Sequence, residues 1–114
     1  MKNYKGSADR LTLVAPAGGV VSGGLYVIGG MAVIAEGTAA AGELFSAVAR
    51  GEFSYAKATG AVTAGARAFY DSGNDNVTAT SASGRFPVGY FPLAAASDDT
   101  TVDVVLTGEY TAAV

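Results

Sequence analysis

Apolar residues recur along this chain in short alternating runs, each closed by glycine, proline or a cluster of Ser, Asp and Asn. Leu11, Leu13 and Ala15 alternate with Arg10, Thr12 and Val14, the period-two signature of a half-buried strand. Pro16 to Gly19 stops that run, Val20 and Val21 read as a very short strand, and Ser22-Gly23-Gly24 is a turn. Leu25 to Ile28 is a third apolar run. Gly29-Gly30 turns it toward Met31 to Glu36, where Met31, Val33 and Ala35 share one face and Ala32, Ile34 and Glu36 the other. Gly37 to Gly42 is a loop.

The second half continues in the same way. Glu43 to Arg50 reads as a strand, broken by Gly51, and Glu52 to Tyr55 follows with Phe53 and Tyr55 on one face. The Ala-rich stretch from Ala56 to Ala66 has room for a helical turn, but Gly60 and Gly65 argue against a long helix. Arg67 to Asp71 and Val77 to Thr80 flank Ser72-Gly73-Asn74-Asp75, which predicts a hairpin. Ser81 to Gly84 is a turn, and Val88 to Phe91 is a strand bounded by Pro87 and Pro92. Thr101 to Thr107 alternates most cleanly, with Val102, Val104 and Leu106 inward and Thr101, Asp103 and Thr107 outward. The pattern predicts an all-β fold, a small β-barrel or sandwich of about eight short strands. Residues 1–8 have no periodicity and read as an extended N-terminal arm. A single β domain spans 9–107, and 108–114 form a C-terminal tail.

Composition changes the picture in two ways. The 16 glycines and 23 alanines make up over a third of the 114 residues, so although 50% of the chain is apolar, much of that is a single methyl group. A core this light gains from surface buried against partner subunits. His, Cys and Trp are absent, which removes the Ser–His–Asp triad, the Cys–His pair, disulfides and the usual zinc and iron–sulfur ligand sets. Seven basic against ten acidic residues give a net charge of −3, without the basic stripe of a nucleic-acid binder.

The 25 uncharged residues Leu11 to Ala35 have the hydropathy of a membrane span, but Pro16 and six glycines divide them into strand-length pieces. A signal peptide is disfavoured because Asp9 and Arg10 precede the apolar run. Gly24 to Gly29 has phosphate-loop glycine spacing without the lysine that reaches the phosphates, so it reads as turns. Asp71 to Asn76 lacks the ligand spacing and distal Glu of a calcium loop and reads as an Asx-rich turn. Asp98 and Asp99 are adjacent carboxylates with nothing else to mark an acid–base pair. Asn76-Val77-Thr78 fits a glycosylation acceptor, read as chance. Lys2 and Lys5 around Tyr4 offer cations to an acidic partner surface, against the plain reading of a solvated terminus. Phe45, Phe53, Tyr55, Phe69, Tyr70, Tyr90 and Phe91 sit in strands and read as core or subunit interface rather than a ligand platform. The residues point to no enzyme, no cofactor and no metal.

The order and spacing of the segments carry a resemblance. Leu11-Thr-Leu-Val-Ala-Pro-Ala-Gly-Gly19 precedes Val20-Val-Ser-Gly-Gly24 and Tyr26-Val-Ile-Gly-Gly-Met-Ala-Val-Ile-Ala35. Then come Thr38 to Glu43, Val48 to Phe53, Lys57 to Gly60, Ala64 to Asp71, Val77 to Thr80, Val88-Gly-Tyr90 and Ala94 to Leu106. Over roughly residues 1–107 this resembles the DUF2190 family of tailed-phage and prophage capsid decoration, or cement, proteins. The surroundings of Arg85 to Pro92 and the tail 108–114 depart from the family pattern. The resemblance implies a structural protein that binds the outer surface of the head as a homotrimer and stabilises the expanded shell. Its partner would be the major capsid protein, without nucleic acid or membrane, and its location the virion after synthesis in the host cytoplasm. It sets Lys2, Asn3, Tyr4 and Lys5 as expected capsid contacts, and Phe53, Tyr55 and Phe91 as expected subunit-interface residues. The rival expectation is a virion-surface module recognising a host glycan or receptor, which needs an exposed groove of aromatics and carboxylate.

Overall fold

Short runs of β-branched and aromatic residues between glycine turns leave the chain only strand-length elements, and the computed structural model shows nine of them among the described residues, 9–114, with no helix. They are β1 (Arg10–Val14), β2 (Leu25–Ile28), β3 (Met31–Ala35), β4 (Leu44–Val48), β5 (Arg50–Ala56), β6 (Arg67–Asp71), β7 (Asn76–Thr78), β8 (Phe86–Tyr90) and β9 (Thr101–Thr107). The expected N-terminal arm lies outside the described residues. Two antiparallel sheets result, ordered β1-β4-β3-β2 and β5-β9-β8-β6-β7. The stretch Leu11 to Ala35 is three of these strands with their turns. No helix of the described residues is long and apolar enough to cross a membrane.

The second sheet curls until its edges meet. Lys57, just past β5, bridges Val77 of β7, and Val62 bridges Ala95 across the loops that close one end. Val102, Val104 and Leu106 of β9 fill the interior with Ala68, Tyr70, Val77, Val88 and Phe91. Leu25 of β2 and Ala32 and Ile34 of β3 join this cluster from the first sheet. The opposite face of the first sheet builds a separate core from Val33, Ala35, Phe45, Ala47 and Ala49, closed by Ala15 and Val20. The two faces read from the alternation of β3 are therefore both buried, with only Met31 of the strand exposed.

Three boundaries differ from the sequence reading for identifiable reasons. Gly51 does not break a strand: it pairs with Leu106 inside β5 at a φ of +146°, a conformation glycine holds without strain. The break falls at Ala49, so one predicted strand, Glu43 to Arg50, is β4 plus the first residue of β5. Pro87 lies inside β8 rather than before it, next to a bulge. There Ala68 pairs with Gly89 and Phe69 with Pro87, so Val88 is the extra residue. The bulge turns Val88 inward and leaves Tyr90 on the outer face, 43% exposed, so of the two roles expected of it, core or subunit interface, the core is excluded.

Gly89 lets β8 approach β9, because a Cβ there would overlap the backbone carbonyl oxygen of Val105. Gly89→Ala is expected to cost about 3 kcal/mol and to lower Tm by roughly 10–15 °C. Gly37→Ala, whose Cβ would meet open space, should stay within about 0.5 kcal/mol. Denaturant melts of the two variants check the contrast; equal losses would refute the close-approach account.

Candidate functional site

The polar groups inside the second sheet are spent on closing it. Asp75, at the tip of the β6–β7 turn, holds a positive φ of 51°, which aims its carboxylate back at the barrel. Its Oδ1 accepts hydrogen bonds from the Tyr55 hydroxyl at 2.5 Å and the Tyr70 hydroxyl at 2.7 Å. The Tyr55 oxygen in turn accepts the Leu25 N–H at 3.1 Å, so this cluster ties both sheets together. The two rings meet edge to face with centroids 6.2 Å apart. Burial first, then the bonds to Asp75, push the Tyr55 hydroxyl up to about 12 and raise Tyr70 as well. Both groups are held neutral, which suits a structural clasp and not a proton donor at neutral pH.

Lys57 is a second internal fastening. It is 7% exposed, and its ammonium donates to the carbonyls of Ala58 at 2.9 Å and Ser97 at 3.2 Å, with Asp99 O at 3.5 Å. Asp99 itself accepts the Ala96 N–H on Oδ2, so the Asp98-Asp99 pair belongs to a turn. The Asp71 carboxylate takes the Asn74 side-chain amide at 2.9 Å and the Gly73 N–H at 3.1 Å. The Asn74 bond is the first cause that holds its pKa below the ordinary carboxylate range. Arg85 Nε lies 3.5 Å from Oδ2, the oxygen that also accepts the Asn74 amide. This is the Asx-rich turn read from the sequence. Asn76 Oδ1 is buried without a hydrogen-bond partner. Among the described residues no group of three His, Cys, Asp or Glu side chains is arranged to hold a metal.

What the molecule offers outward is surface. On the outer face of β1 and β4, Val14 and Leu44 are direct cross-strand partners, 56% and 68% exposed. A second feature depends on residues 108–114, which fold back on the domain. Thr111 donates its N–H to Gly30 O and its hydroxyl to Pro87 O, at 2.9 and 2.6 Å. Val114 N–H donates to Arg85 O at 2.8 Å, and Gly84 N–H to Val114 O at 3.1 Å. The ring of Tyr110 occupies the space a Cβ on Gly30 would need, yet Tyr110 remains 84% exposed. Between this segment and the outer face of β6, β8 and β9 runs a groove of about 390 Å³, bordered by Arg67, Tyr90, Thr107, Glu109 and Tyr110. Sequence reading missed it. The bulge that exposes Tyr90 and the course of the tail leave no periodic signal.

The expected site residues fall as follows. Lys2, Asn3, Tyr4 and Lys5 lie outside the described residues. Phe91 is in the main core with no exposed surface, and Phe53 and Tyr55, half-buried, pack against that core from β5. Gly24 to Gly29 is β2 with its flanking turns.

Two measurements check the internal fastenings. The unfolded chain ionises its tyrosines near pH 10, whereas folded Tyr55 waits until about 12. A folded-state pKa above the unfolded one gives stability that is full below about pH 10 and lost as pH rises from there through the folded value. Tyrosinate absorbance is therefore expected to show two of the six tyrosines ionising only as the domain unfolds, and Tyr55→Phe to flatten the alkaline loss of stability. Six hydroxyls titrating together while the fold persists would contradict this. Lys57→Met should cost about 2 kcal/mol by stranding buried carbonyls, read by urea melts.

Comparison with curated proteins and with solved structures gave no match. The family model described as phage cement protein matches residues 5–106, nearly the whole chain. That match accompanies the all-β architecture described above. The chain belongs to the phage cement protein family, whose members associate with the phage capsid.

Proposed function

We propose that this protein is a structural capsid decoration protein that binds the outer surface of the phage head as a trimer, contacts the major capsid protein and stabilises the expanded shell. The observation that carries this reading is the family match over residues 5–106. The structure supports it physically. Strands this short, with alanine at many buried positions, leave a protomer with little apolar bulk, while Val14 and Leu44 side by side stay in solvent. Such a pair gains most when another protein covers it.

The outer face of β1 and β4 is the capsid-contacting surface in this reading, together with Lys2, Asn3, Tyr4 and Lys5, which precede β1 in the chain. The Arg10–Glu36 ion pair at 3.2 Å and the Ser46 hydroxyl on Glu36 at 2.6 Å give the face a polar rim. Many copies on one shell sum to a large reinforcement even when each contact is modest. The chemistry is non-covalent: apolar burial against the shell supplies the free energy and the rim fixes orientation.

Light scattering of the purified protein is expected to give the mass of a trimer. Co-sedimentation with shells of the cognate major capsid protein should show saturable binding near one trimer per threefold position after expansion, and the decorated shells should resist heat better. Leu44→Asp, at an exposed site, should weaken that binding by about tenfold or more while leaving Tm unchanged. A well-folded protein that binds shells neither before nor after expansion would overturn the reading.

A further inference from the structure

We infer that the groove between the outer face of β6, β8 and β9 and residues 107–110 is a binding site for a neutral saccharide. Four polar side chains border it whose polar groups have no partner within the described residues. Arg67, Tyr90, Glu109 and Tyr110 make no side-chain hydrogen bond or ion pair among the described residues. The tyrosines are 43% and 84% exposed, although the Tyr110 ring also covers Gly30. Aromatic faces open to solvent, with hydrogen-bonding groups beside them, match the two sides of a sugar ring: apolar C–H faces and a rim of hydroxyls.

Charge selects among ligands. Arg67 and Glu109 cancel, so the groove has no net charge to favour a phosphate, a nucleic acid or a polycation. A guanidinium supplies only donors and a carboxylate only acceptors, and a ligand that meets both must carry groups that do either, as hydroxyls do. A volume of about 390 Å³ suits one or two sugar rings. The bulge at Val88 keeps Tyr90 outward, and the Thr111 and Val114 bonds hold the opposite wall in position, so the groove is preformed. Thr107, Glu109 and Tyr110 lie beyond the residues matched by the family model, so this site does not follow from the family assignment.

The test is made on the isolated protein, so its outcome is independent of shell binding. Maltose, lactose, cellobiose and chitobiose are titrated into isotopically labelled protein, followed by NMR, and a printed array of neutral oligosaccharides is probed in parallel. The expected result is saturable binding of at least one saccharide, with shifts concentrated at residues 65–67, 87–90 and 107–110. Tyr90→Ala and Glu109→Gln should each weaken it by about tenfold with Tm unchanged. Tyr110→Ala should do the same, and Tyr90→Ala keeps the test intact if loss of the Gly30 contact unfolds the Tyr110 variant. No saccharide binding in either format would overturn the inference. So would binding unaffected by Tyr90→Ala and Glu109→Gln, or shifts in the groove produced only by a proline-rich peptide used as control.

Discussion

Everything in this fold depends on β3 being buried on both faces at once. Ala32 and Ile34 face the large core shared with the second sheet, while Val33 and Ala35 face the smaller core. Four residues thus separate two hydrophobic interiors, and a one-residue slip would exchange the two sets wholesale. The pairings of β3 with β2 and β4 fix the register from both sides: Leu25 with Ile34, Ala35 with Ala47. The side chains must be small where the layers come close, and alanine fills three buried positions of the smaller core within β3, β4 and the residue that follows β4. The high alanine content is a requirement of this geometry as much as a weakness in apolar bulk.

A chain with so few large side chains closes its second sheet partly with polar fastenings. The Tyr55–Asp75–Tyr70 cluster spans both sheets, and the Lys57 ammonium gathers carbonyls from two loops. Each group is satisfied by hydrogen bonds, so burial of the polar atoms does not cost what an unpaired group would. The fastenings are directional, whereas methyl groups are not, and they restore uniqueness to a core that alanine alone would leave loosely specified.

Strand positions were legible where both ends carry turn chemistry. β2 sits between glycine pairs, β6 runs into Ser72-Gly73-Asn74-Asp75, and β9 alternates without interruption, with Val102, Val104 and Leu106 buried as read. Legibility failed where one backbone detail decides the outcome. Gly51 reads as a breaker because a positive φ inside a ladder cannot be seen in composition. The bulge at Val88 shifts the register of β8 against β6, which no strand period in the sequence announces. Nothing in the sequence marks Lys57 as buried, since only the fold brings Ser97 and Asp99 to it. Past Ala56, which ends β5, residues 57–66 hold neither helix nor strand but two isolated bridges, which have no sequence period at all. The candidate groove was illegible for the same reason: its walls join residues from β6, β8 and the tail.

The two outward surfaces follow from the same economy. Side chains that a heavier domain would draw into a third layer remain outside here, apolar on the β1–β4 face and aromatic beside the tail. Their chemistry differs. Val14 and Leu44 lie flat and can be covered only by another protein surface, because a small ligand has no concavity there to enter. Tyr90 and Tyr110 border a concave, polar channel that a flat protein face cannot fill. A part fixed to a shell by the first surface keeps the second free, and repetition over the shell multiplies whatever weak affinity that second surface has. In the proposed reading, with the shell contact and the saccharide contact on separate surfaces, either would change without unfolding the strands between them.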